Sequence, residues 1–422
     1  VDANDLTRPK GIDQINLFDL MQYIHESKLA YKIEGYASHV ESKEENGKKQ
    51  AKQSSPVLHS LVSFLIALTN LSSEGRIFYQ KVGSASSDIQ LSYLLLSPTH
   101  AFSSIVSAAR AVILAGGTMS PFGDYKEHLF PTLQDPKVTT LSCGHVIPPK
   151  NLCVWTLANS RPGAAPFEFS YQRRGDEEMI EQLGLSILNM CSVVPDGVVV
   201  FFPSYSYLDE VVEVWRKRQG SGTQSIWERL EARKKIFRES KTASSDETLQ
   251  QFSEAIVGEQ ATTEQKKNSG ALLLSVIGGK MSEGINFSDR LGRCVIVVGL
   301  PYPNIASPDW KAKMEYIETS TRSRLESTRG DLSKADAAAK AKQAARDYYE
   351  NSCMRAVNQS IGRAIRHQGD YASIVLVDRR YGTDRIRGKL PGWIKGGLVA
   401  DSHEKGLGGL MGALGSFFRE KR

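Results

Sequence analysis

Cysteine is scarce and scattered: Cys143, Cys153, Cys191, Cys294 and Cys353 are separated by 10, 38, 103 and 59 residues, with no CxxC pair. The odd count and these spacings exclude a disulfide scaffold and a metal knuckle, and predict reduced thiols in a core. Long hydrophobic runs are missing too. The nearest, Leu61 to Leu71, is interrupted by Ser63, Thr69 and Asn70 and falls short of the roughly 18 apolar residues of a membrane span. No membrane partner is expected. Proline, at 16 residues, and glycine, at 35 of 422, are too few for a collagen-like repeat or for disorder of the whole chain. A phosphate cradle of the form GxxxxGK[ST] is also lacking. The Gly-Lys pairs Gly47-Lys48, Gly279-Lys280 and Gly388-Lys389 are not followed by Ser or Thr, so the magnesium-holding hydroxyl of that motif has no counterpart here.

What is present suits a folded protein of two or three domains. Apolar residues make up 41% and charged ones 24% of 422 residues, close to globular averages. Lys plus Arg exceed Asp plus Glu by 53 to 47, a mild +6 that permits a basic groove without requiring one. Amphipathic helical patterns such as Leu17 to Leu29 lead to a polar stretch, Glu41 to Ser55, expected to be a mobile loop. Helix-compatible residues Ser103 to Arg110 run into an apolar strand, Ala111 to Leu114. From about Pro148 the chain repeats strand, turn and helix: Gly197 to Phe202 then Leu208 to Lys217, Ala271 to Ile277, Cys294 to Gly299, a long helical region Ser333 to His367, and the strand Ser373 to Val377. Alternation of this kind predicts an α/β fold with a doubly wound parallel sheet. The tail Gly388 to Gly415 is weakly periodic, which leaves order and partial disorder equally open.

Three constellations fall at predicted strand ends, where such sheets place ligands. Gly278 to Phe287, GGKMSEGINF, follows a strand: the paired glycines let backbone N–H groups approach a phosphate, Lys280 adds a point charge, and Ser282 and Asn286 add hydrogen bonds. An ordinary strand-to-helix turn explains the same residues equally well. Gln359 to His367, QSIGRAIRH, spaces Arg363 and Arg366 for one helical face, with Gly362 permitting close approach. Two guanidinium forks suit a polyphosphate. A solvated basic face is the plainer alternative, weakened by the apolar neighbours Ile361 and Ile365. The third comprises Gly116 to Pro121 with Thr118, and Val198 to Tyr205 with Ser204. These are common punctuation residues, and Tyr205 is as well suited to packing as to stacking on a base.

Taken in order, AGGTMSP, VVVFFPSY, GGKMSEGINF, VIVVGLPYPN and QSIGRAIRH resemble the later motifs of the XPD-like superfamily 2 DNA helicases, in the chromosome-loss branch tied to sister chromatid cohesion. Ser142 to Pro149, Ala232 to Phe237 and Asp378 to Tyr381 extend the resemblance, which covers about residues 90 to 385. The resemblance implies that 146–390 form the second RecA-like motor domain. It makes 91–145 the end of the first, 1–90 a mostly helical arch-domain remnant and 391–422 a Gly-rich tail. It implies ATP with Mg2+ as the nucleotide, arginines Arg363 and Arg366 at the γ-phosphate with Arg366 as the finger, and Gln359 ordering their helix. Gly284, Asn286 and Gly362 would face the nucleotide. Thr118, Ser204, Tyr205, Lys280, Ser282 and Glu283 would face DNA, single-stranded or forked. Members move 5′ to 3′, act in replication, repair and cohesion in the nucleus with factors of those processes, and carry a four-cysteine (4Fe-4S) iron–sulfur cluster.

The sequence departs from that pattern in lacking the phosphate cradle, the paired carboxylates that follow a strand, and the clustered cysteines. Asp176-Glu177-Glu178 lies on a helix-compatible stretch and is no substitute. No metal ligand set is expected. These gaps predict a C-terminal portion that needs an N-terminal motor half and is hydrolytically inert by itself. The alternative is an ATP-inert module that binds single-stranded DNA or serves as a scaffold.

Overall fold

The computed structural model describes residues 5, 8–44, 57–70, 74–81, 89–131, 133, 135–144, 146–218, 224–241, 244–258, 270–284, 287–328, 332–365 and 367–421. The chain divides into two compact units. One comprises 1–112, 125–133 and 304–346, the other 113–124, 134–303 and 347–422.

In the first unit, helices Leu17–Glu26, Leu29–Glu44 and Val57–Leu68 contact one another. Asn16 starts the first of them by accepting the Phe18 N–H at 3.0 Å, a side-chain cap for an otherwise unpaired donor. A hairpin of β1 (Gly75–Lys81) and β2 (Ile89–Leu95) pairs antiparallel, Gly75 opposite Leu95. Gly75 is required there, because a Cβ would stand 1.8 Å from the Tyr93 hydroxyl. Of the expected mobile loop, Glu41–Glu44 end the helix and the remainder lies outside the described residues. Helix Thr99–Ala108 takes in Ser103 to Ala108 of the expected helical run, and Ala109 and Arg110 lie beyond its end.

The second unit is built on six parallel strands: β3 (Leu152–Leu157), β4 (Gly197–Phe202), β5 (Lys235–Arg238), β6 (Ala271–Val276), β7 (Cys294–Val298) and β8 (Ala372–Val377), in the order β3-β8-β7-β4-β6-β5. All residues of β3, β4, β6, β7 and β8 are buried, which explains their unbroken apolar runs. Val198, Val200 and Phe202 pack into one core; Val199 and Phe201 pack into the other, on the opposite face. The crossover from β3 to β4 is helix Glu177–Val193, capped by Asp176, which accepts from the N–H groups of Glu178 and Met179 at 3.1 and 3.3 Å. The acidic run at 176–178 is thus a helix start.

Several expectations are corrected. Residues 111–114 form no strand, and Ile113 is 88% exposed, because an apolar run becomes a strand only with a neighbour to supply the ladder. The helical region ends at Ile361, not His367. The Gly-rich tail, for which the sequence leaves order and partial disorder equally open, carries helices Gly392–Gly396 and Gly406–Arg419. In the last of these, Leu410, Leu414, Phe417 and Phe418 enter the core beside Trp155, and glycine at 409 lets the helix lie against the Trp155 ring. Just before it, Val154 N–H donates to Gly397 C=O and Val399 N–H to Val154 C=O, both at 3.0 Å, covering the free edge of β3. Cys143 is exposed, unlike the other four cysteines. Among the described residues no helix is long and apolar enough to cross a membrane.

Two measurements check this packing. Leu414→Ala, at a fully buried position, lowers unfolding free energy by about 2–5 kcal/mol in denaturant titration, whereas Glu404→Ala, on an exposed side chain, changes it by less than about 0.5 kcal/mol. Burial pushes the Cys153 thiol up to about 11, Cys191 and Cys294 up to about 12, and Cys353 higher still. A thiol reagent at roughly pH 8 therefore labels Cys143 alone in the native chain and all five after unfolding, as counted by intact mass.

Candidate functional site at the strand ends

The C-terminal ends of β4, β5 and β6 meet around one carboxylate. Glu239 follows β5 and is 2% exposed. Its Oε1 accepts from the Tyr205 hydroxyl at 2.6 Å and from Met281 N–H at 3.2 Å. Its Oε2 accepts from the Ser275 hydroxyl at 2.7 Å and from Val276 N–H at 3.0 Å. Four donors satisfy both oxygens, which is what a buried charge requires. Sequence reading missed Glu239. The motif Ala232 to Phe237 stops two residues short of it, and the one local signal is an acid placed just beyond a basic strand.

Tyr205 opens helix Tyr205–Arg216, and Ser204 is its cap, accepting Tyr207 N–H at 3.2 Å. Ser204 also lies 3.2 Å from the Ser206 hydroxyl. Tyr205 is half-buried, with its ring beneath the Lys241 ammonium at 5.5 Å from the centroid. Burial first, then the bond to Glu239, push its phenol up to about 12, so it stays a neutral donor at any physiological pH.

The loop after β6 turns on Gly278, whose φ is +71°, and on Gly279, where a Cβ would meet Glu239 Oε1 at 2.6 Å and the Tyr205 hydroxyl at 2.8 Å. Only glycine allows so close an approach. Lys280 is exposed and its ammonium donates to Lys241 C=O at 3.1 Å. Ser282 is buried and donates its hydroxyl to Gly279 C=O at 2.9 Å. Glu283 and Gly284 end the short helix Lys280–Gly284, while Asn286 lies outside the described residues.

Beyond the loop, Phe287 is buried against Phe201 and its N–H donates to Arg363 C=O at 3.2 Å. This bond ties the loop to the end of helix Lys334–Ile361. It also corrects the expected geometry: Gly362 and Arg363 lie in the turn after the helix, so Arg363 is not part of a continuing helical face. A carbonyl in the turn just past a helix has no partner in the helical ladder, and that of Arg363 is taken by the loop. Gln359 is exposed on the final turn, Ile361 and Ile365 are buried, and Arg363 is half-buried. Arg366 lies outside the described residues. A Cβ at Gly362 would stand 3.3 Å from the Thr118 hydroxyl, so Thr118 sits beside the arginine-bearing turn.

The Asp378 to Tyr381 motif locks the end of β8. Buried Asp378 holds Arg380 through two 2.8 Å bonds and accepts the Phe169 N–H at 3.0 Å, and the Tyr381 hydroxyl donates to Gly299 C=O at 2.9 Å.

Asp289, His367 and Asp370 also converge, with ligand atoms within 4.8 Å of one another. Their charges are met within the protein: His367 pairs with Asp289 at 2.8 Å, and Asp370 binds the buried Arg293 guanidinium at 2.9 Å and the N–H groups of Tyr371 and Asp289.

The helicase C-terminal domain family matches residues 187–397, a stretch that spans β4 to β8. Among curated proteins, the ATP-dependent DNA helicase chl1 of Neurospora crassa is 51% identical over 484 residues, covering 100% of this chain and 45% of that protein. The protein of the same name from Aspergillus clavatus is 49% identical over 421 residues, covering 99% of this chain and 55% of its own length. The chain thus spans about half the length of the curated relatives it matches. A solved structure titled "Structure of S. tokodaii Xpd4" aligns over 86% of this chain and 57% of that one at 16% identity and a TM-score of 0.43, too distant to add weight. With a domain match across the sheet that carries the loop and the arginine turn, and identity near one half to the chl1 proteins along its whole length, the chain belongs to the helicase C-terminal domain family.

Proposed function

We propose that the protein to which this chain belongs is an ATP-dependent DNA helicase that moves 5′ to 3′ on single-stranded or forked DNA. The bond from Phe287 N–H to Arg363 C=O carries the reading, because it makes one unit of the loop and the arginine turn. In this reading Arg363 and Arg366 stabilise charge building on the γ-phosphate, with Arg366 as the finger, and Gly284, Asn286 and Gly362 line the nucleotide. Fixed guanidinium donors act most strongly where water is excluded. Thr118, Ser204, Tyr205, Lys280, Ser282 and Glu283 form the DNA side. Within it Lys280 supplies exposed charge to the backbone, while Ser204 and Ser282 shape the loop ends through their bonds to Tyr207 and Gly279.

The described residues do not suit an iron–sulfur cluster: four cysteines are buried and the fifth is exposed, and the residue group with metal-binding spacing contains none of them. Magnesium fits no better at the loop, where the oxygens of Glu239 are fully engaged. Both groups, with the phosphate cradle, are assigned to the N-terminal motor half, and this chain alone is expected to bind ATP weakly without turning it over. Action in the nucleus, in repair, replication and sister chromatid cohesion with the factors of those processes, follows from the same reading through the chromosome-loss relatives.

In the full-length protein, Arg366→Ala lowers DNA-stimulated ATP turnover by about a hundredfold or more, and turnover retained in that variant sinks the assignment. Lys280→Ala weakens binding of single-stranded oligonucleotides evenly across sequences and reduces the salt slope by roughly one, read by fluorescence anisotropy over a salt series. An unchanged slope removes Lys280 from the DNA side.

A further inference from the structure

We propose that Glu239 is the positioning residue that sets the register between the loop 278–284 and the first turn of helix Tyr205–Arg216, so that nucleic acid held at one is felt at the other. The proposal rests on the helicase reading above and goes beyond it, since Glu239 belongs to none of the motifs that carry that reading.

Two segments far apart in sequence end on this carboxylate. Tyr205 lies 34 residues before it, and Ser275, Val276 and Met281 lie 36, 37 and 42 residues after it. Its own N–H is fixed to Leu274 C=O at 2.9 Å, so the carboxyl group hangs from the end of a paired strand. Each oxygen takes one hydroxyl, which can rotate, and one backbone N–H, which cannot. The Met281 N–H belongs to the first turn of the short helix Lys280–Gly284, so Glu239 acts there as a cap supplied by another strand. On its far side the Tyr205 hydroxyl fixes the ring over which Lys241 sits, and Lys241 C=O holds the Lys280 ammonium. The loop and the tyrosine are joined at two points, one buried and one exposed.

No isostere can replace this group. In Glu239→Gln, whichever oxygen becomes an NH2, a backbone N–H that cannot turn away faces another donor. Asp is one methylene shorter and does not span the same four partners. Gly279 closes the arrangement, because any Cβ there would enter the space between Glu239 and Tyr205.

The test uses the full-length protein. ATP turnover is measured against concentration of an oligo-dT strand for the parent, Glu239→Gln, Tyr205→Phe and the double variant. Strand affinity is read by anisotropy, and folding by thermal unfolding. Glu239→Gln is expected to lower DNA-saturated turnover about tenfold while strand affinity stays within about threefold, a loss of kcat rather than of binding. Tyr205→Phe is expected to lower it about threefold, and the double variant to match Glu239→Gln within about twofold, since both changes cut one link. A folded Glu239→Gln with parental turnover, a loss explained wholly by weaker strand binding, or losses that multiply in the double variant overturn the proposal. Should Glu239→Gln fail to fold, Tyr205→Phe decides, because three donors remain on the carboxylate; parental turnover there overturns it. A parent that DNA does not stimulate sinks the helicase reading and this inference together, whereas a stimulated parent with an indifferent Glu239→Gln sinks the inference alone.

Discussion

A sheet covered on both faces can place polar chemistry only at the ends of its strands, and most of the second unit follows from that constraint. All residues of β4, β6, β7 and β8 are buried. A charged side chain along those strands would lose its water without gaining partners. The chain therefore emerges at the C-terminal ends in short turns rich in glycine and hydroxyl residues. There Glu239 and Asp378 are buried only because each is fully met by donors, as Asp370 is before the opposite, N-terminal end of β8. The first two anchor turns that the helicase motifs occupy.

Glu239 and Asp378 solve one problem in two ways. Asp378 works locally: it caps the turn that follows it and grips Arg380 two residues on. Glu239 works at a distance and gathers groups from two other strand ends. A local cap keeps one turn rigid, while a shared carboxylate makes several turns move as one. That difference is why the loop 278–284 and Tyr205 form one candidate site and not two adjacent ones.

The arginine turn shows what a helix that stops early sets free. A helix that continued as far as His367 would commit the Arg363 carbonyl to its own ladder. By stopping at Ile361 it leaves the carbonyl for Phe287 N–H, and Gly362 leaves room for Thr118. The buried Ile361 and Ile365 hold the turn against the sheet, so Arg363 emerges from a fixed base.

Much of this was legible in the sequence. Unbroken apolar runs such as Val198 to Phe202 and Leu272 to Val276 mark buried parallel strands, since periodicity is a local property of neighbouring residues. Glycine pairs followed by polar residues mark the turns, and the ordered motifs mark the family. Other features were not legible. The tail 406–419 looks featureless until Trp155 offers a surface for Leu410, Leu414 and Phe418. The run 111–114 looks like a strand until no neighbour among the described residues pairs with it. Glu239 reads as a surface acid until Tyr205, Ser275, Val276 and Met281 converge on it. The sequence alone determined which segments are buried and where the chain turns, because those depend on adjacent side chains. Only the tertiary structure decided which polar groups satisfy one another, because a hydrogen bond across 34 or 42 residues depends on where two segments end in space.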